Sequence, residues 1–595
     1  MAETERRWYD EVEDLTARLV RIDSVSPSVE RENACAAEIR EALAERGVAS
    51  RTWSMRADDR KIVWAMVEGE AVAAAAEAVP TVLLLGHLDV AGVQDYGFDL
   101  DPFDPEALRQ HFLSGGGGEA EGENERVRDA VSGDWMFGRG SFDMKSGVAA
   151  QVAVMGALQR GRADLPGNVL MVTTPDEEVE SAGLMDALEP LIALRDECGL
   201  DLVGVINSDY TAPREPGDDS RYVYRGTIGK LLCCFYVRGC ETHVGEAFRG
   251  IDANLIAANI VRETNLNPDL CDEADGEITV PPVTQKVRDF KARYDAQTPI
   301  SAVVHCSCLV HGWTPQDVLV RMVPLARKAL SDANRRRVLT WRAYASRQGS
   351  TNTLRDLGGG VYTYRQLYEA VAQRLSREGL EKELDERTFG LIGEIRSATA
   401  SLSATEHDFL VDQACLADLD SRGRSDVIVR TLVDIADRER VLDPAEPTVV
   451  VYFAPPFFPP VRGDAESQLS RAIAAEVAEG DYGGVRFRGF YPYVSELSFM
   501  RMDDPVYANL PILKANFPLW REGTEEMDEA LKQETFRVPC DLIRELDCDV
   551  ANIGPWGKEA HGRGERVQKP YSFETMPELI RNVIVRLLKD AAGSW

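Results

Sequence analysis

The stretch Thr81-Val-Leu-Leu-Leu-Gly-His-Leu-Asp-Val90 decides how the chain is read. A run of apolar, partly β-branched residues ends abruptly in Gly86, His87 and Asp89. This is the pattern of a fully buried strand whose carboxyl end opens at a turn. In open α/β sheets, functional groups collect just outside the carboxyl ends of strands. His87 and Asp89 stand two apart, close enough for a carboxylate to orient an imidazole that holds a metal. Alone, a His-x-Asp at a strand end is more often a satisfied histidine than a ligand. The rest of the chain changes that balance.

Upstream, two helical patterns fill Tyr9 to Gly47, the second running from Glu32 to Arg46, and Lys61 to Val67 reads as a strand. Downstream, periodicity fades from Ala91 to Asp134, which predicts an exposed, mobile insertion around Gly115 to Gly118. No Gly-Lys-Ser/Thr follows those glycines, so they are not a phosphate cradle. Gly138-Arg-Gly-Ser-Phe-Asp-Met-Lys-Ser-Gly147 is a tight turn feeding a helix to about Gly161. Gly167 to Thr174 is a strand ending in Pro175-Asp-Glu-Glu178, and Asp201 to Asn207 is another ending in Ser208-Asp209. Strands alternating with helices predict an α/β catalytic domain with a mostly parallel central sheet and helices on both faces.

After Pro216 the pattern shifts to strands over Tyr222–Val237 and Ser301–Val310 with helices over Ile251–Thr264 and Pro315–Ala333. That predicts a smaller inserted α+β domain. A mainly helical, charged stretch follows, and alternation resumes at Thr448 and ends in a helix from Pro577 to Lys589. The expected division is 1–220 and 444–595 as two parts of a catalytic domain, 221–339 as the α+β insertion, and 340–443 as a helical insertion of unassigned role.

The chain has 595 residues, 44% of them hydrophobic and 28% charged, the composition of a globular protein. A net charge of −32 argues against non-specific binding of nucleic acid or anionic membrane. The first residues lack the apolar core of a signal peptide, and no run reaches the length of a membrane span. Eleven cysteines contain no C-x-x-C pair, which suits reduced thiols in the cytoplasm.

Five groups need one explanation: His87, Asp143, Glu177-Glu178, Asp209 and His561. Each falls at a strand end or in a tight turn, and all are metal-ligand types. Singly, Asp143 would serve as a helix N-cap, the glutamates as first-turn residues facing a helix dipole, Asp209 as a turn residue and His561 as a surface histidine. Together they suit zinc, which takes imidazole and carboxylate ligands while leaving a position open. Paired glutamates allow one to bind metal and the other to act as general base. A rival cluster, His305-Cys-Ser-Cys308 with His311, lies on an alternating strand, so His305 and Cys306 point to opposite faces and cannot easily share an ion.

Gly86-His-Leu-Asp-Val90, Gly138 to Lys145, Asp176-Glu-Glu178 and His561 resemble the co-catalytic zinc peptidase family of aminoacylases, acetylornithine and succinyl-diaminopimelate deacylases and glutamate carboxypeptidases. Asn207-Ser-Asp-Tyr210 and Gly554-Pro-Trp-Gly-Lys-Glu-Ala-His561 resemble its RocB-type arginine-utilisation branch. The resemblance implies two zinc ions, with Co2+ or Mn2+ as substitutes, bridged by Asp143. One would be completed by His87 and Asp209, the other by Glu178 and His561. It implies Glu177 as general base, Asp89 as the residue orienting His87, and a cis Asp143–Met144 peptide. It implies that the smaller domain is a ferredoxin-like lid and dimerisation domain whose His243 steadies the oxyanion, often across a homodimer. The expected activity is amide hydrolysis of a small N-acyl amino acid or peptide-like substrate, with arginine or ornithine catabolism as its setting. A dipeptidase or carboxypeptidase is the alternative within the family, and a non-enzymatic binding or assembly protein the alternative outside it.

Overall fold

A computed structural model describes residues 2–72, 78–97, 100–115, 121–291, 295–399, 420–520 and 536–593. Residues 116–118 of the glycine run and 400–419 of the helical stretch lie outside the described residues. The chain forms two compact units, one of residues 1–228, 458–503 and 539–595, the other of residues 229–457 and 504–538.

The first unit is built on an eight-stranded sheet. Its strand order is Ser50–Ser54, Lys61–Val67, Asn168–Thr174, Val79–His87, Leu200–Asn207, Val550–Asn552, Tyr222–Arg225, Arg486–Arg488. The central strand Val79–His87 runs parallel to both neighbours, and Val550–Asn552 is parallel to Leu200–Asn207. Every residue of Asn168–Thr174 is buried, as is every residue of Val79–His87 after the first, so both faces of the sheet centre are covered. The helices Lys145–Arg160, Ala182–Cys198, Gln468–Glu479 and Met576–Ala592 pack on these strands. His87, Thr174 and Asn207 thus end neighbouring parallel strands on one edge of the sheet, and their turns must open side by side.

A separate three-stranded sheet joins Gly557–Lys558, Arg566–Gln568 and Trp135–Phe137, with Phe137 opposite Arg566. It sets the loop of residues 559–565 beside the turn that begins at Gly138. The Asp143–Met144 peptide is cis. The stretch expected to be an exposed insertion contains the helices Pro105–Leu113 and Glu121–Ser132. Leu108, Phe112 and Ala130 are buried there, and the Phe112 ring lies 5.0 Å from that of Phe137. Short amphipathic helices capped by residues such as Asp104, which accepts from the amides of Glu106 and Ala107, leave too little periodicity to be read from sequence.

The second unit has a five-stranded sheet in the order Val283–Asp289, Ser301–Val310, Gly229–Arg238, Thr448–Phe458, Gly360–Thr363. Its first three strands are antiparallel, and the helices Ala253–Thr264 and Pro315–Arg347 belong to the same unit. Gly360–Thr363 and Thr448–Phe458 pair in parallel. No described helix is long and apolar enough to cross a membrane, and no described cysteine is disulfide-bonded.

Candidate metal centre

Three strand ends and two loops of the first unit bring the predicted residues together. His87 ends its strand 98% buried, with Nε2 3.2 Å from Asp143 Oδ1 and 3.9 Å from Glu177 Oε2. Asp143 turns its other oxygen, Oδ2, to within 3.0 Å of His561 Nε2. The same His561 nitrogen lies 3.1 Å from Glu178. Asp143 is no N-cap: the helix it precedes starts from Met144 with no side-chain cap. Asp209 follows the strand Leu200–Asn207, its amide donating to Asn552 Oδ1 at 3.0 Å. Two donor groups, His87–Asp143–Asp209 and Asp143–Glu178–His561, each gather their ligand atoms within 4.8 Å and share Asp143.

Asp89 acts on the centre in two ways. Its carbonyl oxygen lies 3.1 Å from His87 Nδ1, closer than its carboxylate at 3.6 Å. The carboxylate accepts from the amides of Glu177 and Glu178, both at 3.1 Å, and so fixes the turn that carries both glutamates. His87 Nδ1 bound to a carbonyl must carry a proton, which makes Nε2, facing Asp143, the nitrogen available to a metal.

The electrostatics of the donors are those of a cation site. Asp143, Glu177, Glu178 and Asp209 form no ion pair with a lysine or arginine among the described residues; the cationic groups beside them are the imidazoles of His87 and His561. Burial pushes the carboxyls of Glu177, Glu178 and Asp209 up, Asp209 to about 8, and neighbouring Asp143 pushes the same way. Burial opposes protonation of His561, yet its bonds to Asp143 and Glu178 raise it to about 12. Burial likewise works against the Asp143 carboxylate, but the two imidazoles hold it below the usual range. Four crowded acids with no lysine or arginine beside them and only two imidazoles between them cannot all ionise unless further cations join them. Imidazole and carboxylate oxygens are the donors that zinc and similar dications accept, so the residues fit such a group.

Residues 118–508 match Peptidase family M20/M25/M40. The chain belongs to that family. Asp143, Glu177, Glu178 and Asp209 fall inside the matched span, while His87 and His561 lie outside it. Protein RocB of Bacillus subtilis (strain 168) is 30% identical over 98% of this chain and 95% of its own length. The YqjN protein of the same strain is 31% identical over 86% of this chain and 85% of its own. The succinyl-diaminopimelate desuccinylase of Acinetobacter baylyi (strain ATCC 33305 / BD413 / ADP1) is 27% identical over 39% of this chain and 50% of its own. The protein is a metallohydrolase of this family.

Sequence reasoning passed over three contributors. Asn552 holds Asp209 from both sides, accepting from its amide and donating Nδ2 to its carbonyl at 2.8 Å. Glu565 and Arg139 are fully buried and bond to the turn and loop that carry Asp143 and His561. Arg139 stands in the Gly138–Lys145 motif, but nothing in the composition of Gly562-Arg-Gly-Glu565 marks its glutamate as an anchor. The rival cluster forms no metal group among the described residues: His305 Nε2 bonds Asp426 Oδ1 at 2.8 Å. His243 belongs to the second unit, exposed, with Nδ1 accepting from the Gly245 amide at 3.0 Å.

Proposed function

We propose that this protein is a di-zinc amidohydrolase that cleaves an amide bond of a small N-acyl amino acid or peptide-like substrate beside a free carboxylate. One observation carries the reading: a single carboxylate, Asp143, is shared by two imidazole-carboxylate donor groups beside the further carboxyl of Glu177. His87, Asp143 and Asp209 would hold one zinc, and Asp143, Glu178 and His561 the other. Zinc bound there polarises a carbonyl and lowers the pKa of water.

Glu177 is the general base. It takes the proton of the attacking water and delivers it to the leaving amine nitrogen. Burial raises its carboxyl well above the usual range, which makes it a stronger proton acceptor than an exposed glutamate. Asp89 keeps Glu177 in place through the backbone of the turn. His243 steadies the developing oxyanion. Because its Nδ1 accepts from Gly245, the proton sits on Nε2, the form that can donate to an oxyanion. A homodimer, with the α+β part of the second unit as lid and dimer contact, is the arrangement in which His243 would serve.

The deacylase reading agrees with the desuccinylase among the relatives, and the RocB likeness favours an arginine- or ornithine-derived amine. The test is amine release from N-acyl amino acids and dipeptides weighted toward arginine, ornithine and glutamate, with zinc-loaded and metal-stripped protein side by side. Metal-dependent release from N-acyl amino acids is expected. Release from dipeptides alone would replace the deacylase with a dipeptidase. No release by protein holding two zinc ions would overturn this substrate reading and favour a substrate outside the panel or a binding role.

A further inference from the structure

The residues that meet a metal first are only as well placed as the backbone that carries them, and two of those carriers here are loops without regular structure. Asp143 ends the turn that begins at Gly138, and His561 sits in the loop of residues 559–565 with a left-handed φ of 60°. One buried carboxylate, Glu565, connects the two. Its Oε1 accepts from three amides of the turn, those of Gly140 at 2.8 Å, Phe142 at 3.3 Å and Asp143 at 3.3 Å. Its Oε2 accepts from Arg139 Nη1 at 2.6 Å. Arg139 then reaches back into the loop, its Nη2 donating to the His561 carbonyl at 3.1 Å, to the Gly92 carbonyl at 3.0 Å and to Asp95 Oδ1 at 2.9 Å. The bonds close a ring: turn to Glu565, Glu565 along the loop to His561, His561 through Arg139 to the turn.

We infer that Glu565 and Arg139 are positioning residues that lock the Asp143 turn against the His561 loop and so set the spacing of the second donor group. This rests on the metal-centre reading above. The chemistry of the pair suits the task. An apolar side chain could fill the same volume, but only an acceptor can draw three amides of one turn to a single point and fix the backbone at Asp143. The two side chains are 0% and 1% exposed, so their bonds do not exchange with water. Their charges cancel, so the anchor adds no net charge to a centre already crowded with carboxyls.

The test uses the full chain and reads zinc affinity, not turnover. Glu565→Gln keeps the shape and one oxygen but places an amide NH2 against either the guanidinium or the three turn amides, so one of the two contacts must break. One of the two zinc sites, that of the second donor group, should lose ~10–100-fold in affinity by chelator competition, the usual cost of losing a bond behind a ligand. Melting of the metal-free variant, measured alongside, separates this from a merely structural role. Zinc affinity within about threefold of wild type at both sites, whatever the melting temperature, would overturn the inference. Should Glu565→Gln fail to fold, Arg139→Lys keeps the positive charge but cannot span both Glu565 and the His561 carbonyl. It is expected to weaken the same site, and unchanged affinity would overturn the inference equally. Wild-type protein that binds no zinc would instead overturn the metal-centre reading, and this inference with it.

Discussion

Asp143 and His561 meet at 3.0 Å, Oδ2 to Nε2, although one belongs to a turn of the first catalytic segment and the other to a loop near the end of the chain. The other oxygen of Asp143 faces His87 at 3.2 Å. A carboxylate held between two imidazoles in this way is placed to bridge two cations, and on that reading its loss differs from the loss of either imidazole. Asp143→Ala is expected to drop bound zinc from about two per chain to well under one, whereas His87→Ala or His561→Ala each leaves about one. Metal content of the purified variants by mass spectrometry decides between these outcomes.

Glu177 is held beside the donors but belongs to neither shared group. Glu177→Gln should therefore keep its full zinc content while kcat falls ~10²–10⁴-fold, the span a positioned general base contributes. Zinc loss in this variant would reassign Glu177 as a ligand. Unchanged kcat would remove it from the reaction.

Metal removal should reverse the pH dependence of stability. Asp209 has an ordinary value of 3.8 and is pushed by burial to about 8, so the stability it contributes is complete below 3.8 and is lost as pH rises to about 8. His561, raised from 6.5 to about 12, acts in the same direction at higher pH. The lowered Asp143 acts only in acid, where its contribution is lost as pH falls below 3.8. Metal-free protein should accordingly melt lower at about pH 8.5 than at about pH 6. Zinc needs deprotonated ligands, so the stabilisation it adds should grow over the same interval. Thermal scans with and without zinc at the two pH values check both signs.

The strand ends were legible because their cause is local. A fully buried parallel strand must stop at a turn, and His87, Glu177-Glu178 and Asp209 are polar residues placed where apolar runs stop. Asp143 and His561 were legible only as members of the whole set of ligand types, and their particular roles only through the resemblance to a family, since a lone Asp in a glycine-rich turn has commoner uses. Glu565, Arg139 and Asn552 were not legible as anchors, because each takes its role from backbone groups that only the fold brings near. The same holds for Thr448–Phe458. Its residues announce a buried strand, but nothing in them names Gly360–Thr363 as the partner.

Lys145 tests the scaffold behind the turn. It is fully buried, and its Nζ donates to the carbonyls of Leu19 at 2.9 Å and Ile22 at 2.6 Å, at the end of the helix Ala2–Val20. Lys145→Met keeps the volume but takes this donor from the Ile22 carbonyl, while the Leu19 carbonyl keeps its bond from the Ile22 amide at 3.1 Å, at about 1–3 kcal/mol of stability. Denaturant unfolding should show that loss with zinc content unchanged, since Lys145 touches no donor.

His305, a buried histidine of the second unit, offers the matching control. Asp426 is 3% exposed and accepts from His305 Nε2 at 2.8 Å and from the Tyr452 hydroxyl, under strands that supply both partners. His305 and Asp426 are metal-ligand types, yet this pair joins no third donor among the described residues. Its role follows from burial: each polar atom satisfies another where water cannot reach. Asp426→Ala leaves an imidazole and a phenol without their acceptor and opens a cavity, together costing about 3–5 kcal/mol. Urea unfolding should register that cost, while zinc stoichiometry and the affinity of both zinc sites stay at wild-type values. A fall in zinc content in the folded variant would mean that His305 and Asp426 hold metal after all.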